Sequence, residues 1–244
     1  MTSSAAGRWL LLATLWSLQY IFMRIAVPVF GTGIVAEARA LFAAAFLAPW
    51  VLLVTREPLM LGANWRDHLA VCMVNNVLPF ICFAYAATAL PASYLAVMNG
   101  MVPLWPTALA AAAGVAGAAF WGWAGVVIRQ RTGRVPPISL AAGSILFAAI
   151  LLAPAWIETP PLSAWAPGVT GALVALGALV SGLAYLPFFT LVREIGPTRT
   201  LTVGLAVPAL GILWGWLLLG ETITASMLAG AALVLVALLL VMKH

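Results

Sequence analysis

The stretch Trp16–Arg24, WSLQYIFMR, decides how this chain is read, because it has a partner 105 positions further on: WGWAGVVIR at Trp121–Arg129. Each is an apolar segment that opens on Trp and closes on Arg. The same offset lays Leu47-Ala48-Pro49 on Leu152-Ala153-Pro154 and Val102-Pro103 on Val207-Pro208, and an offset of 106 pairs Pro91 with Pro197. Weak internal symmetry of this length in an apolar chain marks folds assembled from two related membrane halves.

The composition agrees. Of 244 residues, 65% are hydrophobic and 7% charged, against roughly a quarter charged in soluble domains. Apolar runs of about 20 residues recur along the chain, and in lipid such runs must be helices, since nothing else in an open chain satisfies the backbone internally. The fold class is therefore all-α, a polytopic membrane protein. The net charge of +5 does not point to nucleic acid, because the basic residues are scattered at helix ends, as the positive-inside rule requires. Cys72 and Cys82 lie in one expected helix, too far apart along its axis to bridge. The first apolar run continues to about Val27, too long for a signal peptide, and is read as the first membrane helix.

Helices are expected at about 8–27, 33–54, 67–90, 92–113, 115–129, 136–156, 166–190, 196–219 and 222–242. That is nine, whereas the repeat asks for ten, because the counterpart of the last helix falls on the Trp121 segment that begins the second half. Charge placement makes the same demand. With Arg8 inside, Arg56 and Arg66, then Arg129, Arg131 and Arg134, then Arg193, Arg199 and Lys243 all lie inside only if there are ten crossings; with nine, five arginines move outside. A helix of roughly 20–30 residues is thus expected between about Ala108 and Val115 and is absent from the sequence. The expected architecture is an inverted repeat of 5+5 helices with nine visible, divided at 1–113 and 114–244, both termini cytoplasmic.

The ten-helix inverted repeat, Arg39 near the start of helix 2, Pro103 and Pro208 in the fourth helix of each half, and the Leu219-Gly220-Glu221 turn before the last helix resemble the drug/metabolite transporter superfamily, specifically its EamA-type repeats. The resemblance covers nearly the whole chain apart from the absent fifth helix. The wealth of aromatic residues, Trp16, Tyr20, Tyr85, Tyr94, Trp121 and Trp123 among them, looks like the YddG-type branch. That branch implies export of aromatic and other amphipathic amino acids across the inner membrane, with no cofactor, as a monomer or homodimer.

A pathway through such a bundle should be lined by side chains that lipid rejects. In helix 1 Trp16, Gln19, Tyr20 and Met23 share one face at helical spacing. Helix 3 offers Asn75 and Asn76, helix 4 Tyr94, Met98 and Asn99, and the second half Trp121, Trp123, Ser181 and Tyr185. The asparagines either line the pathway or bond a neighbouring helix. The tryptophans belong either to the cavity or to the interfacial belt. Arg24, Glu37 and Arg39 are clustered near one membrane face, as a structural ion pair, an outer gate or a site for a substrate carboxylate. Pro79, Pro103 and Pro208 interrupt helices, and Gly100 and Gly204 precede the latter two, marking candidate hinges.

No Asp, Glu or His falls near the middle of an expected helix. This speaks against a proton relay, unless Glu37 serves, and against a strongly anionic substrate such as a nucleotide sugar, which would demand deep basic residues. A membrane-embedded enzyme would need acid-base or metal-ligating clusters that the six acidic residues do not form, and a channel would need a charged or carbonyl filter. An exporter of small metabolites working by alternating access remains, with drug-like cations as an alternative cargo and no metal.

Overall fold

The computed structural model describes residues 3–100, 108–131, 134–157, 160–196, 199–200, 202–225 and 227–232, and no strand occurs among them. Four helical segments are long and apolar enough to cross a membrane: α1 (Ser3–Thr55), α2 (Trp65–Ala86), α5 (Pro137–Ile157) and α6 (Pro167–Ile195). Between and after them come α3 (Ala92–Gly100), α4 (Ala108–Arg131) and α7 (Val203–Leu219).

At 53 residues, a straight α1 would be about 80 Å long, far more than one bilayer. It is instead two antiparallel arms. Gly31 has φ 75° and ψ 168°, a backbone state that any side chain would resist, and there the chain doubles back. Arg39 Nη2 donates to Gln19 Oε1 at 2.9 Å, although 20 residues of straight helix would hold them about 30 Å apart. The arms, 3–30 and 32–55, correspond to the helices expected at 8–27 and 33–54.

The helix expected at 115–129 begins earlier. α4 runs without interruption through Ala110–Gly114, so no helix is inserted there and the next element begins at Ala108. Residues 101–107 lie outside the described part, and the helix expected at 92–113 is described only as far as Gly100.

Two ion pairs show which ends share a face. Arg131, at the foot of α4, pairs with Asp67, at the head of α2, and Arg8, near the start of α1, pairs with Glu194, near the end of α6, at 2.5 Å. Because α1 is a hairpin, Arg8, Arg56, Arg66, Arg131, Arg134, Arg193 and Arg199 gather at one basic face, as the charge pattern demands. α2 leaves that face at Asp67 and α4 returns to it at Arg131, so Ala86 and Ala108 both lie toward the opposite face. α3 supplies nine residues, about 14 Å of helix, or half the hydrocarbon thickness.

The opposite face is closed by an unusual cap. α7 ends where Gly220 turns left-handed at φ 65°, letting Glu221 N donate back to Gly215 O at 3.1 Å, a Schellman-type stop. The Glu221 carboxylate then accepts from Ala92 N at 2.7 Å and Ser93 N at 3.0 Å, and from the Ser93 hydroxyl. A carboxylate from one half thus caps a helix N-terminus of the other, where backbone donors and helix dipole both favour it. Glu221→Gln places a weaker acceptor there. It is expected to cost about 1–2 kcal/mol, read as a fall of a few degrees in melting temperature in detergent.

The first arm of α1 packs on α6 through Leu12, Ala13, Ala184 and Leu191. α2 packs on α4, α3 on α7, and the second arm of α1 on α5 and α6. All-round apolar helices of this kind are held by dispersion and close approach rather than by an amphipathic stripe.

Candidate functional site

Besides the π turn that ends α1 at Val51–Thr55, the helical ladder loosens within two later helices, into wider π turns over Cys72–Val77 in α2 and Leu176–Leu183 in α6. The repeat offset of 105 lays one on the other and carries Asn76 onto Ser181. Each π segment is followed by a buried proline, Pro79 or Pro187, whose missing N–H fits a ladder already opened. Local widening of this kind is frequent at functional sites, and here each turn presents a polar side chain to the contact between the halves.

Arg39, 5% exposed, lies about 12 Å of helix from the Gly31 turn, deep in the bundle rather than at its surface. Its Nε donates to Ser181 Oγ at 2.6 Å and its Nη2 to Gln19 Oε1 at 2.9 Å. The guanidinium carbon sits 4.0 Å from the Phe80 ring centroid and 5.9 Å from that of Trp121, a cation–π arrangement that partly offsets desolvation. Nη1 has no hydrogen-bond partner. Beside this group, Asn76 Nδ2 donates to Ser144 Oγ, and Asn75 Nδ2 to Tyr185 Oη, each at 3.2 Å. Trp121 Nε1 donates to Asn75 O at 3.0 Å.

These contacts come in images. The offset that carries Asn76 onto Ser181 also carries Arg39 onto Ser144, so Arg39–Ser181 and Ser144–Asn76 are one contact made twice with the halves exchanged. It likewise carries Trp16 onto Trp121 and Phe83 onto Phe188. Trp16 lies against Phe188 with centroids 5.6 Å apart, and Trp121 against Phe83 at 4.7 Å. Contacts in which i meets j′ and j meets i′ are those of a two-fold relation between the halves.

The structure thus brings together Gln19, Tyr20, Asn75, Asn76, Trp121, Ser181 and Tyr185 around Arg39, with Trp16 on the flank. Tyr20 is fully buried against Phe83, with ring centroids 5.9 Å apart. Other expected residues are placed elsewhere. Trp123 is 57% exposed, because two residues along a helix turn a side chain by about 200°; with Trp121 inward, Trp123 faces out. Met23 is packing in the apolar core. Tyr94 lies away from the centre, its hydroxyl 3.3 Å from Thr224 Oγ1. The side chains of Met98 and Asn99, and the hinge candidate Pro103, lie outside the described residues. Gly100 ends α3, Gly204 lies in the first turn of α7, and Pro208 is buried within α7.

Arg24, Glu37 and Arg39 do not form the expected ion pair or a single cluster. Arg24 donates to Ala87 O at 3.2 Å, Arg39 makes the contacts above, and the buried Glu37 carboxylate accepts from Trp156 Nε1. The inference that charge is absent from the interior is overturned by Arg39. Leaving a buried acceptor without its donor costs about 1–3 kcal/mol, so Trp156→Phe is expected to lower the melting temperature. Glu37→Gln keeps an acceptor and removes a buried charge, and should accumulate at wild-type levels. If Glu37 is a gate, export falls in that variant nonetheless.

Sequence reasoning missed Ser144, Phe80 and the Glu37–Trp156 bond. The offset applied to Arg39 would have found the first; the other two are contacts between distant helices with no local signal.

A model of the EamA-like transporter family matches residues 6–113 and, a second time, residues 108–243. The chain belongs to the EamA-like transporter family. The second match starts at Ala108, the first residue of α4. Its family lies within the drug/metabolite transporter superfamily, and its membrane-length helices make it a multi-pass membrane protein. It is similar to the uncharacterized transporter YoaV of Bacillus subtilis (strain 168), with 28% identity over 116 residues, covering 47% of this chain and 40% of the relative. No solved structure matches the chain.

Proposed function

We propose that this transporter exports small amphipathic metabolites, amino acids with aromatic ones among them, by alternating access at a site centred on Arg39. The observation that carries the proposal is a buried guanidinium with no carboxylate partner among the described residues and one nitrogen free of hydrogen bonds. A cation in the bilayer interior is costly and marks a site or a pathway. A substrate carboxylate is the partner its planar fork suits best. Trp16, Phe188, Trp121 and Phe83 offer aromatic walls on both sides for an apolar side chain. The two-fold relation supports alternation, since each half can part from the other in the same way at opposite faces. The hinges proposed for this movement are Pro79 with Gly100–Pro103 and Gly204–Pro208. The basic face is proposed as cytoplasmic, in the plasma (inner) membrane.

A nucleotide sugar is a second candidate cargo, because Arg39 is the deep basic residue whose apparent absence had counted against it. A single cation suits one carboxylate better than a diphosphate. Purified protein in proteoliposomes, preloaded with unlabelled tryptophan, is expected to exchange labelled tryptophan and phenylalanine but not tryptamine, which lacks the carboxylate. Equal exchange of tryptamine, or none of either amino acid, would overturn the proposal. Running the assay with and without a pH gradient reads the energy source.

A further inference from the structure

At the basic face, Asn64 to Asp67 at the head of α2 and Arg131 and Arg134 at the foot of α4 enclose a hollow of about 460 Å³. Three guanidinium groups line it against one carboxylate. Asp67, 4% exposed, is taken by Arg131. Arg66 lies over the Trp65 ring at 5.3 Å to its centroid, and Arg134 is exposed. Among the described residues neither Arg66 nor Arg134 has a carboxylate partner. The hollow therefore carries a net charge of +2, at the level where an apolar helix leaves the membrane. Trp65, 47% exposed, stands at that boundary, where indoles settle among headgroups.

Charge, concavity and an interfacial indole together suit one class of ligand. Guanidinium groups bind phosphate oxygens through paired, charge-assisted hydrogen bonds, and basic hollows between membrane helices on the positive side bind anionic headgroups. We propose that this hollow binds the phosphate headgroup of an anionic phospholipid, held by Arg66 and Arg134, with Trp65 against the lipid's glycerol region. The site has a structural consequence. Its walls come from α2 and α4, the helices that carry Asn75, Asn76 and Trp121 to the centre, so an occupying lipid ties the two halves together at this face.

The test uses the full chain in detergent, titrated with phosphatidylglycerol or phosphatidylcholine and followed by native mass spectrometry and by melting temperature. Wild type is expected to retain phosphatidylglycerol and to melt higher in its presence, with little response to phosphatidylcholine. The double variant Arg66→Gln/Arg134→Gln is expected to weaken retention by about 25-fold, at about fivefold per arginine. The single variant Arg134→Gln, at an exposed position that folding does not depend on, should show about fivefold. A charge-matched control, Arg193→Gln/Arg199→Gln, should retain the lipid as wild type does. Equal retention by the double and single variants and wild type, or equal retention of phosphatidylcholine, would overturn the proposal. In a separate arm, inorganic phosphate raising the melting temperature as much as phosphatidylglycerol would reassign the hollow to a soluble anion and overturn the lipid assignment.

Discussion

Arg39→Met is expected to weaken the apparent affinity for substrate by roughly tenfold to over a hundredfold while leaving the bundle about as stable as before. The substitution removes two charge-assisted hydrogen bonds, to Ser181 and Gln19, and leaves two small polar groups short of a partner. It also removes a buried charge, and replacing such a charge by an apolar side chain of similar length is often neutral or stabilising by about 1–4 kcal/mol. The opposing effects are similar in size, so the melting temperature should change by only a few degrees. Transport is a different matter. If Arg39 grips a substrate carboxylate, the lost interaction of about 1.5–3 kcal/mol lowers apparent affinity by roughly tenfold to over a hundredfold. Arg39→Lys, which keeps the charge but not the fork, should fall between. A collapse in melting temperature with normal transport per surviving molecule would make Arg39 a structural residue and end its functional role.

Gly177→Leu is expected to be a severely damaging packing change. A β-carbon there would lie 2.5 Å from Phe42 Cβ, 3.0 Å from Arg39 O and 3.1 Å from Ala38 O. Two of these are backbone atoms, which no rotamer change moves. The π segment of α6 must then lift from the second arm of α1, separating Ser181 from Arg39 as it goes. The expected cost is about 3 kcal/mol or more, at or beyond the upper end for overpacking, seen as low protein in the membrane and loss of activity in what remains. Phe42→Ala should not rescue it, because alanine keeps the β-carbon and the carbonyl oxygens stay in place.

Much of this was legible in the chain. The Trp16–Arg24 repeat announced two related halves; that the same offset also relates contacts, Trp16 and Trp121 each meeting an aromatic ring from the other half, came only from the structure. The arginine pattern asked for the basic ends on one face together with a tenth helix absent from the sequence; among the described residues the basic ends share a face, and α4 is continuous where that helix was expected. Boundaries were harder to read. An Ala- and Gly-rich run such as Ala108–Gly117 has no polar mark to show where a helix starts, so the start of α4 was placed several residues late. Arg39 was assigned to the membrane surface because depth was judged from a helix start at 33, while its hydrogen bonds show it at the centre. The sequence also could not show that Glu37 takes a Trp156 donor rather than a cation, since both satisfy a buried carboxylate and only the packing of α5 on α1 decides.

The image of Arg39 is Ser144, and this single mismatch makes the shared centre lopsided. In the proposed alternation the fixed charge always travels with the first half, so leaning one way hydrates it differently from leaning the other. Ion desolvation is worth several kcal/mol, enough to skew an otherwise even balance strongly toward one resting shape. Under that proposal a carrier with matched halves would idle at both faces, and this one would wait at one of them for its cargo.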